Sequence, residues 1–147
     1  MYLNFDKALV GIFILSFYNE LAAGVKTWLE IIKGASIIGV PTIIPAITLA
    51  LALGYIRFEP KILSFLPIWM AVNLLLVCMA EESFFRRLIQ GNLSKILNFK
   101  GGRILALLVA SLIFGLGHFG GGLKYVIIAT PAGIGYGYAY HKTQRIK

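Results

Sequence analysis

The 147-residue chain has one cysteine, two histidines and six carboxylates, against fourteen lysines and arginines. A single cysteine, Cys78, allows no intrachain disulfide and no zinc site built from paired thiols. Set among Leu, Val and Met, it reads as a small buried hydrophobe, because a reactive thiol needs a surround that lowers its pKa and none is visible here. The N-terminus lacks a positively charged leader and a small-residue cleavage site. Asp6 and Lys7 precede the first apolar run, so that run is not read as a removable signal. Also missing are a polar linker, a low-complexity tract, a clear repeat, and the alternating ten-residue pattern of a membrane barrel. The net charge of +8 would suit nucleic acid in a soluble protein. Here the basic residues lie between apolar runs, and no basic patch with interleaved aromatics stands apart from them, so no nucleic-acid partner is expected.

What the chain has in excess is apolar surface. Its hydrophobic fraction is 59% and its mean hydropathy +0.83, above the roughly 45–50% of soluble domains. Apolar segments cover 8–25, 35–56, 62 to at least 80, 104–119 and 123–140. A spanning helix needs about 20 mainly apolar residues, so the second and third are long enough and the others are shorter or more interrupted. Lipid cannot satisfy open backbone groups, so spanning segments must be helical. The expected fold is all-α, a polytopic transmembrane bundle of about five helices forming one domain over 1–147. Suppose the 26–33 loop, the 86–103 loop and the tail share one side of the bilayer. That side holds ten basic residues (Lys26, Lys33, Arg86, Arg87, Lys95, Lys100, Arg103, Lys142, Arg145 and Lys147), and the other four: Lys7, Arg57, Lys61 and Lys124. The positive-inside bias makes the first set, and the C-terminus, cytoplasmic. The mixed apolar and basic stretch 88–103 suggests a short interfacial helix.

Two of the scarce carboxylates, Glu81 and Glu82, are adjacent at the edge of the third segment. An acid in hydrocarbon is costly unless paired or wet, which marks it as a functional candidate. Glu82 and Arg86 have the favourable order for a helical ion pair, and Glu81, about 100° around the helix, faces elsewhere. His118 closes Phe114-Gly115-Leu116-Gly117-His118, with Phe114 on the same helical face. A lone histidine at a helix end is usually structural. One that shares a bundle with Glu81 can help a carboxylate hold and deprotonate a water, as general-base hydrolysis requires. For the two to meet, the third helix must run on, from about residue 62 to about residue 90, which would place Glu81 about 14 Å deep. Glu81, Glu82 and His118 are also zinc-ligand types, but there is no His-Glu-x-x-His pair, so no cofactor is required by this reading. His141, flanked by basic residues, reads as a solvated interfacial histidine, and Asn73 as an interhelical hydrogen-bonding group. Asn19 and Glu20 are polar groups in the first segment, pairing with another helix or marking its end. Gly133-Ile134-Gly135-Tyr136-Gly137 reads as a small-residue packing face, not a phosphate loop.

Glu81-Glu82-Ser83-Phe84-Phe85-Arg86 fits Glu-Glu-x-x-x-Arg, and Phe114 to His118 fits Phe-x-x-x-His at the usual separation. With the glycine-rich helix that follows, these motifs resemble the CPBP family of intramembrane proteases, which includes the type II CAAX prenyl proteases and bacteriocin-immunity relatives. The resemblance covers about residues 62–147. It implies an all-helical membrane endopeptidase of the glutamic type, with Glu81 as general base, His118 holding the attacking water, and Glu82, Arg86 and Phe114 in support. The implied substrate is a peptide or protein in the membrane, prenylated or transmembrane. The implied location is the bilayer of a bacterial cytoplasmic membrane. The family's third motif, His-x-x-x-Asn, should follow the glycine-rich helix, and the position four after His141 is Arg145. The expectation is therefore a fragment lacking a final helix. The alternative is a non-catalytic membrane immunity or scaffold protein of the same fold, and a small proton-coupled transporter is a weaker third reading.

Overall fold

A computed structural model of the chain describes residues 24–61 and 64–143, together with Leu9, Val10, Phe13 and Ser16. The first apolar segment, with Asn19 and Glu20, therefore falls almost entirely outside the described residues. Four main helices follow: α1 (Val25–Ala52), α2 (Leu66–Ile96), α3 (Gly102–Gly117) and α4 (Leu123–Thr143). Among the described residues there is no strand.

Small residues let these helices approach closely. A Cβ on Gly115 would run into Thr130, one on Gly133 would sit 3.0 Å from Phe114 Cδ1, and one on Gly135 would run into Thr42. Thus α4 offers Gly133 to α3 and Gly135 to α1, as the glycine run suggests. The contact pairs also set the directions. Gly115 meets Thr130 while Gly137 meets Leu107, so α3 and α4 are antiparallel. Gly135 meets Thr42 and Lys124 Nζ donates to the Leu53 carbonyl at 2.8 Å, so α1 and α4 are antiparallel as well. Gln90 and Gly91 of α2 meet Gly137 and Tyr140 of α4, and Phe85 meets Gly117 of α3. One end of the bundle therefore gathers the start of α1, the end of α2, the start of α3 and the end of α4.

α2 is the long helix that the meeting of Glu81 and His118 requires, and it runs further than expected, to Ile96. At 1.5 Å per residue its 31 residues rise about 46 Å. It is not uniform. Two π-helical stretches, Asn73–Cys78 and Ser83–Gly91, flank one α-helical turn, Met79–Glu82. By length and composition α2 is able to cross a membrane; the apolar runs Ser36–Ala52 and Gly102–Gly117 are shorter. The second segment lies within α1, a continuous helix of 28 residues that ends at Ala52, short of the expected end at residue 56. Three further expectations shift. Residues 26–33 are the opening turns of α1, not a loop, and 88–96 continue α2 in place of a separate interfacial helix. Arg86 lies in the core, not with the charges at the bundle end. The chain turns over 97–101, where Gly101 (φ 95°) takes the left-handed conformation that admits glycine readily.

Leu and Ile side chains line the outside. Ile68, Leu74, Ile104, Leu112 and Leu116 are all at least half exposed. The interior is narrow and partly polar: Ala106, Ala110 and Phe114 are buried beside Ser83, Arg86, Gln90 and Ser111.

Candidate active site

The π-helical stretch after Glu82 carries the polar interior. Ser83, Arg86 and Gln90 are all buried on it. Ser83 Oγ turns back to donate to the Met79 carbonyl at 2.6 Å, so its hydroxyl is satisfied locally. Among the described residues, Arg86 is the largest side chain with no exposure at all. Its Nε donates to Glu82 Oε2 at 3.3 Å, the pair that the i,i+4 spacing implies. Its guanidinium lies 5.4 Å from the centroid of the Phe114 ring, within the range of a cation–π contact. Both Nη atoms are buried without a hydrogen-bond partner among the described residues. One turn on, Gln90 Nε2 donates to the Gly137 carbonyl at 2.9 Å, tying α2 to α4 next to Arg86.

Phe114 is the hub between the two motifs. It packs edge-on against Phe85 at 5.1 Å, against Tyr136 at 6.5 Å, and lies 4.6 Å from the His118 ring. His118 ends α3, where a short 3-10 turn, Phe119–Gly121, begins. Its Nδ1 lies 2.8 Å from the Phe114 carbonyl. A carbonyl oxygen only accepts, so Nδ1 carries the hydrogen, and in the neutral ring Nε2 is the acceptor. Tyr125 packs edge-on against the same ring at 5.0 Å and stacks on Tyr55. The imidazole is therefore fixed in tautomer and orientation before any ligand arrives.

Glu81 and His118 line one cavity of about 360 Å³, together with Val10, Ala80, Phe84, Phe85 and Gly117. Its walls are otherwise apolar, and its size lies in the range of ordinary ligand pockets. Glu82 and Arg86 do not line it; Arg86 lies against Phe114, which in turn packs on Phe85 and His118. The five residues singled out in sequence are thus brought close together: an acid and an imidazole at the cavity, and an ion pair linked to the imidazole through the Phe114 ring.

Sequence reasoning missed three contributors. Phe85 lines the cavity and packs on Phe114, and its position four after Glu81 was a usable signal. Gln90 and Tyr125 carried none, because their partners lie on other helices. Among the described residues no three of His, Cys, Asp and Glu come together as a metal-ligand set. His141, half-buried, lines a second, larger cavity at the bundle end.

Comparison with curated proteins and with solved structures returns no match. A protein-family model does match, over residues 63–147, which contain every residue of the two motifs, and its description is type II CAAX prenyl endopeptidase Rce1-like. With more than half of the sequence covered, the chain belongs to the Rce1-like type II CAAX prenyl endopeptidase family, a family of membrane-embedded proteases.

Proposed function

We propose that the chain is an intramembrane endopeptidase that hydrolyses a peptide bond of a membrane-associated protein, prenylated or transmembrane. The observation that carries this reading is the shared cavity: a carboxylate on α2 and an imidazole of fixed tautomer on α3 open onto one apolar space. In this mechanism His118 Nε2 accepts a hydrogen bond from a water and orients it. Glu81 takes the water's proton as the oxygen attacks the carbonyl carbon. Protonated Glu81 then returns the proton to the amide nitrogen as the C–N bond breaks, leaving a carboxylic acid and an amine. A positioned general base contributes typically about 10²–10⁴-fold. No cofactor takes part in this scheme. Glu82, Arg86 and Phe114 act as positioning residues that hold α2 and α3 in register.

The same reading makes this an integral protein of a bacterial cytoplasmic membrane, with the C-terminus cytoplasmic. In support, α2 is long and apolar enough to span, and Leu and Ile cover the outside. Lys95, Arg103 and Lys142 gather at one end of the bundle, while Arg57, Lys61 and Lys124 belong to the other. That segregation matches the positive-inside pattern.

The test is cleavage of a prenylated peptide by the purified chain in liposomes. Glu81→Ala and His118→Ala should each abolish cleavage while keeping the helical circular dichroism of the wild type. Wild-type activity in Glu81→Ala would end the proposal, and absence of cleavage by the wild type against a broad panel of lipidated and transmembrane peptides would favour the scaffold alternative.

A further inference from the structure

Two buried side chains of α2 carry hydrogen-bonding atoms that the helix packing leaves over. Arg86 has no exposure and Gln90 only 2%. Both stand on the π-helical stretch Ser83–Gly91. The guanidinium has N–H groups on three nitrogens. Nε donates to Glu82, whereas Nη1 and Nη2 have no partner among the described residues. Gln90 Nε2 donates to the Gly137 carbonyl, and Gln90 Oε1 is left without a partner in the same way. Buried polar groups in native proteins are almost always paired, and one that is not costs stability.

The leftover atoms have opposite senses, donors on Arg86 and an acceptor on Gln90, and they meet at one place. A Cβ on Gly137 would lie 3.0 Å from Gln90 Oε1, 3.1 Å from Leu107 Cγ and 3.3 Å from Arg86 Nη1. Glycine has no Cβ, so the junction of α2, α3 and α4 keeps a notch beside these atoms. Its chemistry narrows what fits there. An occupant must accept from a guanidinium N–H and donate to an amide oxygen. A halide or a carboxylate only accepts, and a cation meets the positive guanidinium. Glu82 already balances the charge of Arg86, so a further buried ion would stand uncompensated. A neutral hydroxyl meets both demands.

We infer that the notch at Gly137 binds one water molecule, which accepts a hydrogen bond from Arg86 Nη1 and donates one to Gln90 Oε1. Both atoms lie within 3.3 Å of the same point, so two hydrogen bonds of ordinary length span the space between them. The water completes a chain from Glu82 through Arg86 and Gln90 to the Gly137 carbonyl. That chain fixes which way the Gln90 amide points and ties the ion pair of α2 to α4.

Two measurements test this, and neither uses peptide cleavage, so the result is independent of the proposed activity. The first is a crystal structure of the 147-residue chain grown in a lipid mesophase, at a resolution that shows ordered water, with a second crystal soaked in bromide. The expected result is one isolated peak within hydrogen-bonding distance of Arg86 Nη1 and Gln90 Oε1, with no anomalous signal from bromide. A direct Arg86–Gln90 hydrogen bond, another side chain in that place, or a bromide signal there overturns the inference. The second compares thermal unfolding of Gly137→Ser and Gly137→Ala in detergent. Alanine drives out the water and replaces none of its hydrogen bonds, whereas the serine hydroxyl can take them over. Gly137→Ser should therefore unfold at least about 2 °C above Gly137→Ala, although serine is larger and the poorer helix former. At Gly39, a position in α1 with open space around it, the order should reverse. A Gly137→Ser variant no more stable than Gly137→Ala overturns the inference, since overpacking alone penalises the larger side chain.

Discussion

Arg86→Met tests whether the buried ion pair organises the site. In the wild type the Arg86 side chain is fully buried and that of Glu82 is 23% exposed. Removing the guanidinium leaves a largely buried carboxylate without its partner, a change that costs about 3–5 kcal/mol. Two details place this pair near the bottom of that range. The contact is a single bond of 3.3 Å, and both Nη atoms lack partners among the described residues, so the native pair is itself imperfectly satisfied. Loss of the cation–π contact with Phe114 adds about 1 kcal/mol. The expected destabilisation is therefore about 3–4 kcal/mol for Arg86→Met. Adding Glu82→Leu should return most of it, because replacing a buried pair with apolar groups is often neutral. The assay is denaturant unfolding in mixed micelles, followed by helical circular dichroism, on the two single variants and the double. A cost below about 1 kcal/mol for Arg86→Met, the level of a surface pair, would refute the reasoning. So would a double variant as unstable as the sum of the singles.

Gly137→Ala would place a methyl group 3.0 Å from Gln90 Oε1 and 3.3 Å from Arg86 Nη1, and such overpacking should cost about 1–3 kcal/mol. Gly120→Ala, with open space at the same atom, should stay within about 0.5 kcal/mol of wild type in the same unfolding measurement. Gln90→Leu removes the α2–α4 hydrogen bond and should cost about 1 kcal/mol, read from thermal unfolding. Phe114→Ala removes the ring that touches both Arg86 and His118; a cost of about 3–5 kcal/mol, with loss of cleavage, is expected for a large buried aromatic. Cleavage by the wild type should persist in the presence of a metal chelator, measured as the initial rate with and without it.

Local patterns were the legible part of the sequence. The Glu82–Arg86 pair and the Phe114–His118 contact both follow from a four-residue helical step, and both stand in the structure. The continuous helix through Glu81 was readable because placing that acid near His118 demanded it. Helix ends were less readable. Residues 88–96 look amphipathic and basic, which suggests an interface, yet they extend α2 because Gln90 and Gly91 pack on α4. The π-helical stretches leave no composition signal, although they set which residues of α2 face inward. Contacts between distant segments were hidden for the same reason. Nothing local to Tyr125 or Gln90 announces a partner more than forty residues away or across another helix. The cavity that His141 lines was seen only as scattered charge, since Arg87, Lys95, Arg103 and His141 converge through the 97–101 turn and the direction of α4.

The most direct test of the central claim is a double-mutant cycle on kcat/KM for peptide cleavage in liposomes, with Glu81→Gln, His118→Ala and the double variant. If the two residues act on one water, each single change removes most of the advantage, and the double is little worse than the poorer single, as for residues that work as a unit. Losses that multiply, or a Glu81→Gln variant that cleaves at the wild-type rate, would contradict it.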